Sequence, residues 1–364
     1  MVEYLIGVQP PTMERNTDSE PDTTGIERRT VLGGVLASAG LGGATAVGSA
    51  TEEADGEPKT APADGQSVDA CRAITEPGTY DIAGDISDEG GTCLRITADN
   101  VTINGGGATI RGAGEFDDSV GVLVTGDRVA LRNLTVEDWE TGIRFEGASG
   151  GAIVDCTVDA VGPDGIEFVD ADRNLITETT SNGEDSGVEL NESNQNTLRN
   201  STFTADAGEG IRLSGSRQND IVDNTADGTD RGIVVGDSDR NRFEGNVASD
   251  VDVGIVLSES NYNALVENEV QRNDTGILLV DSDSNELVDN VVTDVDFDPG
   301  VTLRRADRNV LTGNTIRRNR IGVLLEDADD NLLEANTICE NTDDQIVEEG
   351  DSDRNRFVDN DLSC

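Results

Sequence analysis

An all-β chain, coiled as a right-handed parallel β-helix with three short strands per turn, is what this sequence predicts. Three observations carry the prediction. Glycine recurs at Gly121, Gly142, Gly165, Gly187, Gly210, Gly232, Gly254, Gly276, Gly300 and Gly322, at intervals of 21 to 24 residues. Two asparagine columns keep the same phase, one running through Asn241, Asn263 and Asn285 and the other through Asn246, Asn268 and Asn290. Each period also holds three short apolar segments, such as "ILL", "NELV" and "NVV" after Gly276. Segments this short, alternating with period two between turn residues, are strands. A fixed period near 22 residues stacks them turn on turn, so each strand pairs with its copy in the next coil.

In chain order, residues 1–50 read as a leader with a twin-arginine export signal. Arg28 and Arg29 precede a mild apolar run from Val31 to Val47, closed by Gly48, Ser49 and Ala50. Met1 and Met13 are both possible starts. No Cys follows the apolar run, and no other stretch is long enough to span a bilayer. Residues 51–70 read as an acidic flexible linker, residues 71–112 as an N-terminal cap with the first coils, and residues 113–364 as the repeats. Roughly 11–12 turns are expected.

Within a turn, the first strand points apolar pairs inward, as in Ile143–Phe145, Ile166–Phe168, Val188–Leu190 and Ile211–Leu213. The column glycines let the chain pass the third bend into that strand. The asparagines sit where the chain bends, and stacked amides bond along a column as in cross-β ladders. Five cysteines are present. Cys339 and Cys364 fall one repeat apart, and turns about 4.8 Å apart suit a disulfide. Cys71 and Cys93 bracket the cap and form a second expected pair. Cys156 is expected as a buried free thiol.

The cap sequence "TEPGTYDIAGDISDEGGTCLRITADNVTINGGGATIRG" (75–112), followed by units of the form GI-x-L-x-x-S-x-x-N, resembles the NosD-type, carbohydrate-binding and sugar-hydrolase-like β-helix families. The resemblance covers about residues 71–364 and implies a pectin-lyase-like solenoid. It does not fix function, because this fold hosts lyases, hydrolases, epimerases, copper-loading factors and adhesins.

Composition narrows the choice. The formal net charge is −48, there is no His, and Lys59 is the only lysine. Such an acidic, lysine-poor chain resembles proteins of salt-loving archaea. Its field repels phosphate, which argues against nucleic-acid partners. A NosD-like copper role is disfavoured, because copper sites need imidazole, thiolate or thioether. The only methionines, Met1 and Met13, precede the export signal. No cofactor and no dedicated metal site are expected. Weak association of Na⁺, K⁺ or Ca²⁺ is expected at acids of the first bend, such as Asp170, Asp237, Asp281 and Asp327.

The outward residue of the first strand supplies the candidate sites. In four successive turns it is Arg144, Glu167, Glu189 and Arg212. Two carboxylates at adjacent-turn spacing approach that of a retaining glycosidase, about 5–5.5 Å. Flanking arginines suit a uronate. Trp139 lies in the preceding bend as a candidate sugar-stacking ring, and Asp164 and Asp185 enter the same region. No His is available for an epimerase type of site. Further along, Val234, Val256, Leu278 and Leu324 form an outward apolar stripe, a candidate partner contact. The leading expectation is therefore an exported, halophilic β-helix protein, secreted or at the cell surface. It binds extracellular or cell-surface polysaccharide or a surface partner, without catalysis. A polysaccharide lyase or glycoside hydrolase working through Glu167 and Glu189 stays open as the alternative.

Overall fold

The computed structural model describes residues 65–87, 90–114, 118–226 and 230–364. The leader and most of the expected linker lie outside the described residues. The strand Gln66–Val68 pairs with Gly78–Ile82, so the coil starts inside the segment expected as linker.

Every pairing between strands is parallel, and the described residues contain no helix. The first face has 13 strands, from Arg72–Ile74 to Asp344–Glu349. The second has 14, from Gln66–Val68 to Arg356–Val358. The third is two sheets of six and five strands. They are joined through bridges of Thr225 to Thr202 and to Val247. The solenoid thus makes about 13 turns. The count passes the expected 11–12 because the cap region is itself regular coil.

The core follows the alternation. Ile143, Phe145, Ile166, Phe168, Val188, Leu190, Ile211 and Leu213 are all buried, and the Phe145 and Phe168 rings meet at a 38° tilt with centroids 5.1 Å apart. The column glycines are needed for close approach. A Cβ on Gly165 would run into Ser181 Oγ and the backbone of the next turn, and one on Gly187 into the Thr204 backbone. Strands of the first and third faces meet there with no room for a side chain.

Both asparagine columns are buried ladders. The Asn263 backbone N–H donates to Asn285 Oδ1 at 2.8 Å, while Asn263 Nδ2 donates to Ser238 O at 2.9 Å. The second column repeats this, and both columns also carry amide-to-amide bonds, such as Asn241 Nδ2 to Asn263 Oδ1 at 3.3 Å and Asn268 Nδ2 to Asn290 Oδ1 at 2.9 Å. A third ladder runs along the third bend, Asn319 to Asn341, and a serine ladder runs through Ser216, Ser238 and Ser260. The bonds to backbone N–H and C=O satisfy groups that a bend would otherwise bury unpaired.

The first-bend acids serve the backbone too. Asp170, Asp237, Asp281 and Asp327 take left-handed φ near 50°. Beside them, Asp283, Asp307 and Asp329 accept the backbone N–H of the matching residue one turn on, at 2.7 to 2.8 Å. Both expected disulfides form, Cys71–Cys93 with Cα atoms 4.4 Å apart and Cys339–Cys364 at 5.9 Å. Cys156 is a buried free thiol.

Candidate functional site

The charged run of the first face is assembled as the alternation demands. Arg144 pairs in register with Glu167, Glu167 with Glu189, and Glu189 with Arg212. Arg144 Nε lies 3.3 Å from Glu167 Oε2, and Arg212 Nε lies 3.2 Å from Glu189 Oε1. Neither Nε makes a well-directed hydrogen bond, although both atoms are buried. The two glutamates are largely covered, with side chains 15% and 20% exposed, while both arginines keep 34%.

A parallel column adds residues that the outward column did not reveal. The position just before each column glycine also faces outward, and it holds Asp164, Ser186, Glu209 and Arg231. Glu209 is buried and shared between Arg231, at 2.7 Å, and Arg212, at 3.5 Å. Asp164 is buried as well, and ligand oxygens of Asp164, Glu167 and Glu189 lie within 4.8 Å of one another. Burial, reinforced by the charges of Glu189 and Glu167, pushes the Asp164 carboxyl up to about 8, against a Ser186 hydrogen bond that lowers it. Burial also raises Glu167 and Glu189, opposed by Arg144 and Arg212 respectively. The patch therefore favours the protonated form of the Asp164 carboxyl, beside Glu167 and Glu189 and with a guanidinium at each end. Such a set can hold a polar or anionic ligand or move a proton.

Two expectations need correction. Trp139 is fully buried, and its Nε1–H donates to Ile110 O at 3.1 Å. Its ring packs over Gly112 and Gly121, where an added Cβ would come within 2.9 Å of it. It is a core residue and offers no stacking face. The stripe of Val234, Val256, Leu278 and Leu324 does lie on the first face in register, interrupted by Thr302. It presents less apolar surface than its direction implied. Val256 is buried and the other three are half-buried, because each side chain covers its neighbours at strand spacing. Among the described residues the exposed large apolar side chains are instead Tyr262, Val291, Phe297, Phe357 and Leu362.

Among the described residues, the first-bend acids form no group of three carboxylates at ligating distance; only Asp164, Glu167 and Glu189 do. No helix among these residues is long and apolar enough to cross a membrane.

Two family models match segments of the chain. "Right handed beta helix region" matches residues 120–270, and "Periplasmic copper-binding protein (NosD)" matches residues 225–363. No curated protein matches in sequence. Among solved structures, the chain is similar to the periplasmic alginate epimerase AlgG. The TM-score is 0.63 at 15% identity, over 79% of this chain and 78% of that one. It is similar to the A-module of the Azotobacter vinelandii mannuronan C-5 epimerase AlgE6, with TM-score 0.60 at 14% identity over 83% and 91%. It is also similar to the Dettilon tailspike protein, with TM-score 0.56 at 14% identity over 78% and 60%. At such identities the likeness is one of fold.

The copper named in one of these descriptions finds no donors here. The chain has no His, and both methionines lie outside the described residues. Four cysteines are in disulfides, and Cys156 is a lone buried thiol whose ionisation burial opposes. The residues present do not fit a copper centre.

Proposed function

We propose that this right-handed parallel β-helix protein is exported and binds a polysaccharide along its first face, at Arg144, Glu167, Glu189 and Arg212. The observation that carries the reading is the pair of partly exposed arginines that flank the largely covered Glu167 and Glu189 in four successive turns of one face. The exposed part of each guanidinium is open to a ligand oxygen, and arginine suits carboxylate by its planar fork. The similar solved structures include polysaccharide epimerases, which supports a glycan as ligand. An extracytoplasmic site of action agrees with the word periplasmic in two of the matched descriptions and with the disulfides.

A glycan array probed in molar salt tests this. Arg144→Ala or Arg212→Ala should weaken capture about tenfold or more, the loss of a charge-assisted contact. Retention of full binding by both variants would remove the first face from consideration.

A second reading, a polysaccharide lyase or hydrolase at the same face, is favoured by the protonated Asp164 beside Glu167 and Glu189. In that case Glu167→Gln or Glu189→Gln abolishes turnover while binding persists. Binding without turnover by the intact protein leaves the first reading alone.

We infer also that the protein is halophilic, from its crowded acids. At the third bend the Asp274 carboxyl is raised by burial and by the charges of Asp252, Asp296 and Asp298, on turns about 4.8 Å apart. Screening shortens from about 8 Å at physiological salt to about 3 Å at 1 M. The coil should therefore lose its cooperative thermal transition in dilute buffer and recover it in molar salt. A melt indifferent to salt would contradict this.

A further inference from the structure

The bend between the first and second faces carries a different group of arginines. Arg173, Arg217 and Arg240 line an open depression of about 520 Å³ together with Asp172, Gln195 and Gln218. Several other bend arginines are neutralised by acids, as Arg272 is by Asp250, Arg305 by Asp281 and Arg354 by Asp330. Here the balance is different. Among the described residues neither Arg217 nor Arg240 has an ion-pair partner, and Arg173 has only Asp172, at 3.9 Å. Asp172 is already engaged, since its Oδ1 accepts from the backbone and the side-chain amide of Asn194 at 2.8 and 3.2 Å. Gln195 Nε2 donates to Gln218 Oε1 at 3.1 Å, which leaves Gln218 Nε2 free to donate outward. On the next turn Tyr262, 58% exposed, lies under the Arg240 guanidinium, 5.2 Å from ring centre to cation. That contact holds the guanidinium in place and leaves its edge free.

We propose that this depression binds the carboxylate or sulfate groups of an acidic polysaccharide laid along the solenoid axis. Arg173 and Arg240 are three turns apart in one column of the bend, about 14 Å at strand spacing, with Arg217 between them in the adjacent column. One small anion cannot reach all three, whereas successive acidic sugars of a chain can. Each guanidinium offers a fork matched to carboxylate or sulfate, and Gln218 can serve a sugar hydroxyl. The net charge of −48 repels such a polymer at long range. In about 1 M salt the screening length falls to about 3 Å, so that repulsion fades while contact-range forks persist. Binding should therefore be stronger in molar than in dilute salt, opposite to the counter-ion release of an ordinary basic surface. The site stands on different residues from the first face, and either can fail alone.

The test is affinity electrophoresis of the full chain through polygalacturonate, dextran sulfate or neutral dextran, at about 0.2 M and about 2 M NaCl. Retardation by one or both acidic polymers but not by dextran is expected, and which polymer acts separates uronate from sulfate recognition. The double variant Arg217→Gln, Arg240→Gln should bind about tenfold more weakly or worse, with an unchanged melting transition. Loss of that binding only in Arg144→Ala, with the double variant unaffected, would overturn this inference while sustaining the first-face reading. The reverse pattern would sustain this inference and remove the first-face one. Failure of the intact protein to bind either acidic polymer at either salt would overturn it outright.

Discussion

Asn268→Leu is expected to destabilise the solenoid by about 2–5 kcal/mol, among the largest losses available to one substitution in this chain. The side chain is fully buried. Its Oδ1 accepts the Asn246 backbone N–H at 3.0 Å and the Asn246 amide at 3.0 Å, and its Nδ2 donates to Phe243 O and Asn290 Oδ1. Leucine has nearly the same size but none of these groups. At least one backbone N–H and one backbone carbonyl are left buried and unpaired, each costing about 1–3 kcal/mol. Neighbouring turns share the ladder, so the damage propagates to adjacent coils. Denaturant melts in molar salt would read the loss. A change under about 0.5 kcal/mol, the size of an ordinary surface substitution, would mean the ladder contributes little.

How much of this was legible depended on repetition. The glycine and main asparagine columns recur turn after turn, so their phase gave the strands, the bends and the inward pairs. The third asparagine ladder escaped because its column is broken, with Val251 and Val295 standing where Asn273, Asn319 and Asn341 serve other turns. Asp164 is readable as entering the site region, whereas Ser186, Glu209 and Arg231 escape for a different reason. They precede the column glycines, and that position varies from turn to turn, so no repeat marks it as outward. Trp139 reads as a surface ring in the sequence because a lone ring in a bend has no periodic neighbour to orient it. The clue lay a turn earlier, in Gly112 and Gly121, whose missing side chains make room for the indole. The apolar stripe was correctly directed but overrated, since direction within a strand does not state how much its neighbours cover.

Asp164→Asn is expected to stabilise the protein at neutral pH, and the gain should vanish in acid. In the folded chain burial and the charges of Glu189 and Glu167 raise this carboxyl to about 8, from an ordinary 3.8. As pH rises past 3.8, the unfolded chain releases the proton while the folded chain keeps it. The folded state then binds more protons, so stability falls with pH across the window from 3.8 to about 8. Below that window both states are protonated and no penalty exists. At pH 7 the cost is of the order of 4 kcal/mol at about 1.36 kcal/mol per pH unit. Asparagine carries no charge and keeps an oxygen for the Ser186 hydroxyl, so the variant escapes the slope. Denaturant melts of both proteins from pH 4 to pH 9, at constant high salt, would converge at the acid end and separate progressively above it. Parallel curves would mean that Asp164 is ionised in the folded protein at neutral pH. The patch would then hold three carboxylates and no proton donor, and the catalytic reading of the first face would lose its acid, leaving the arginines at either end to act through binding alone.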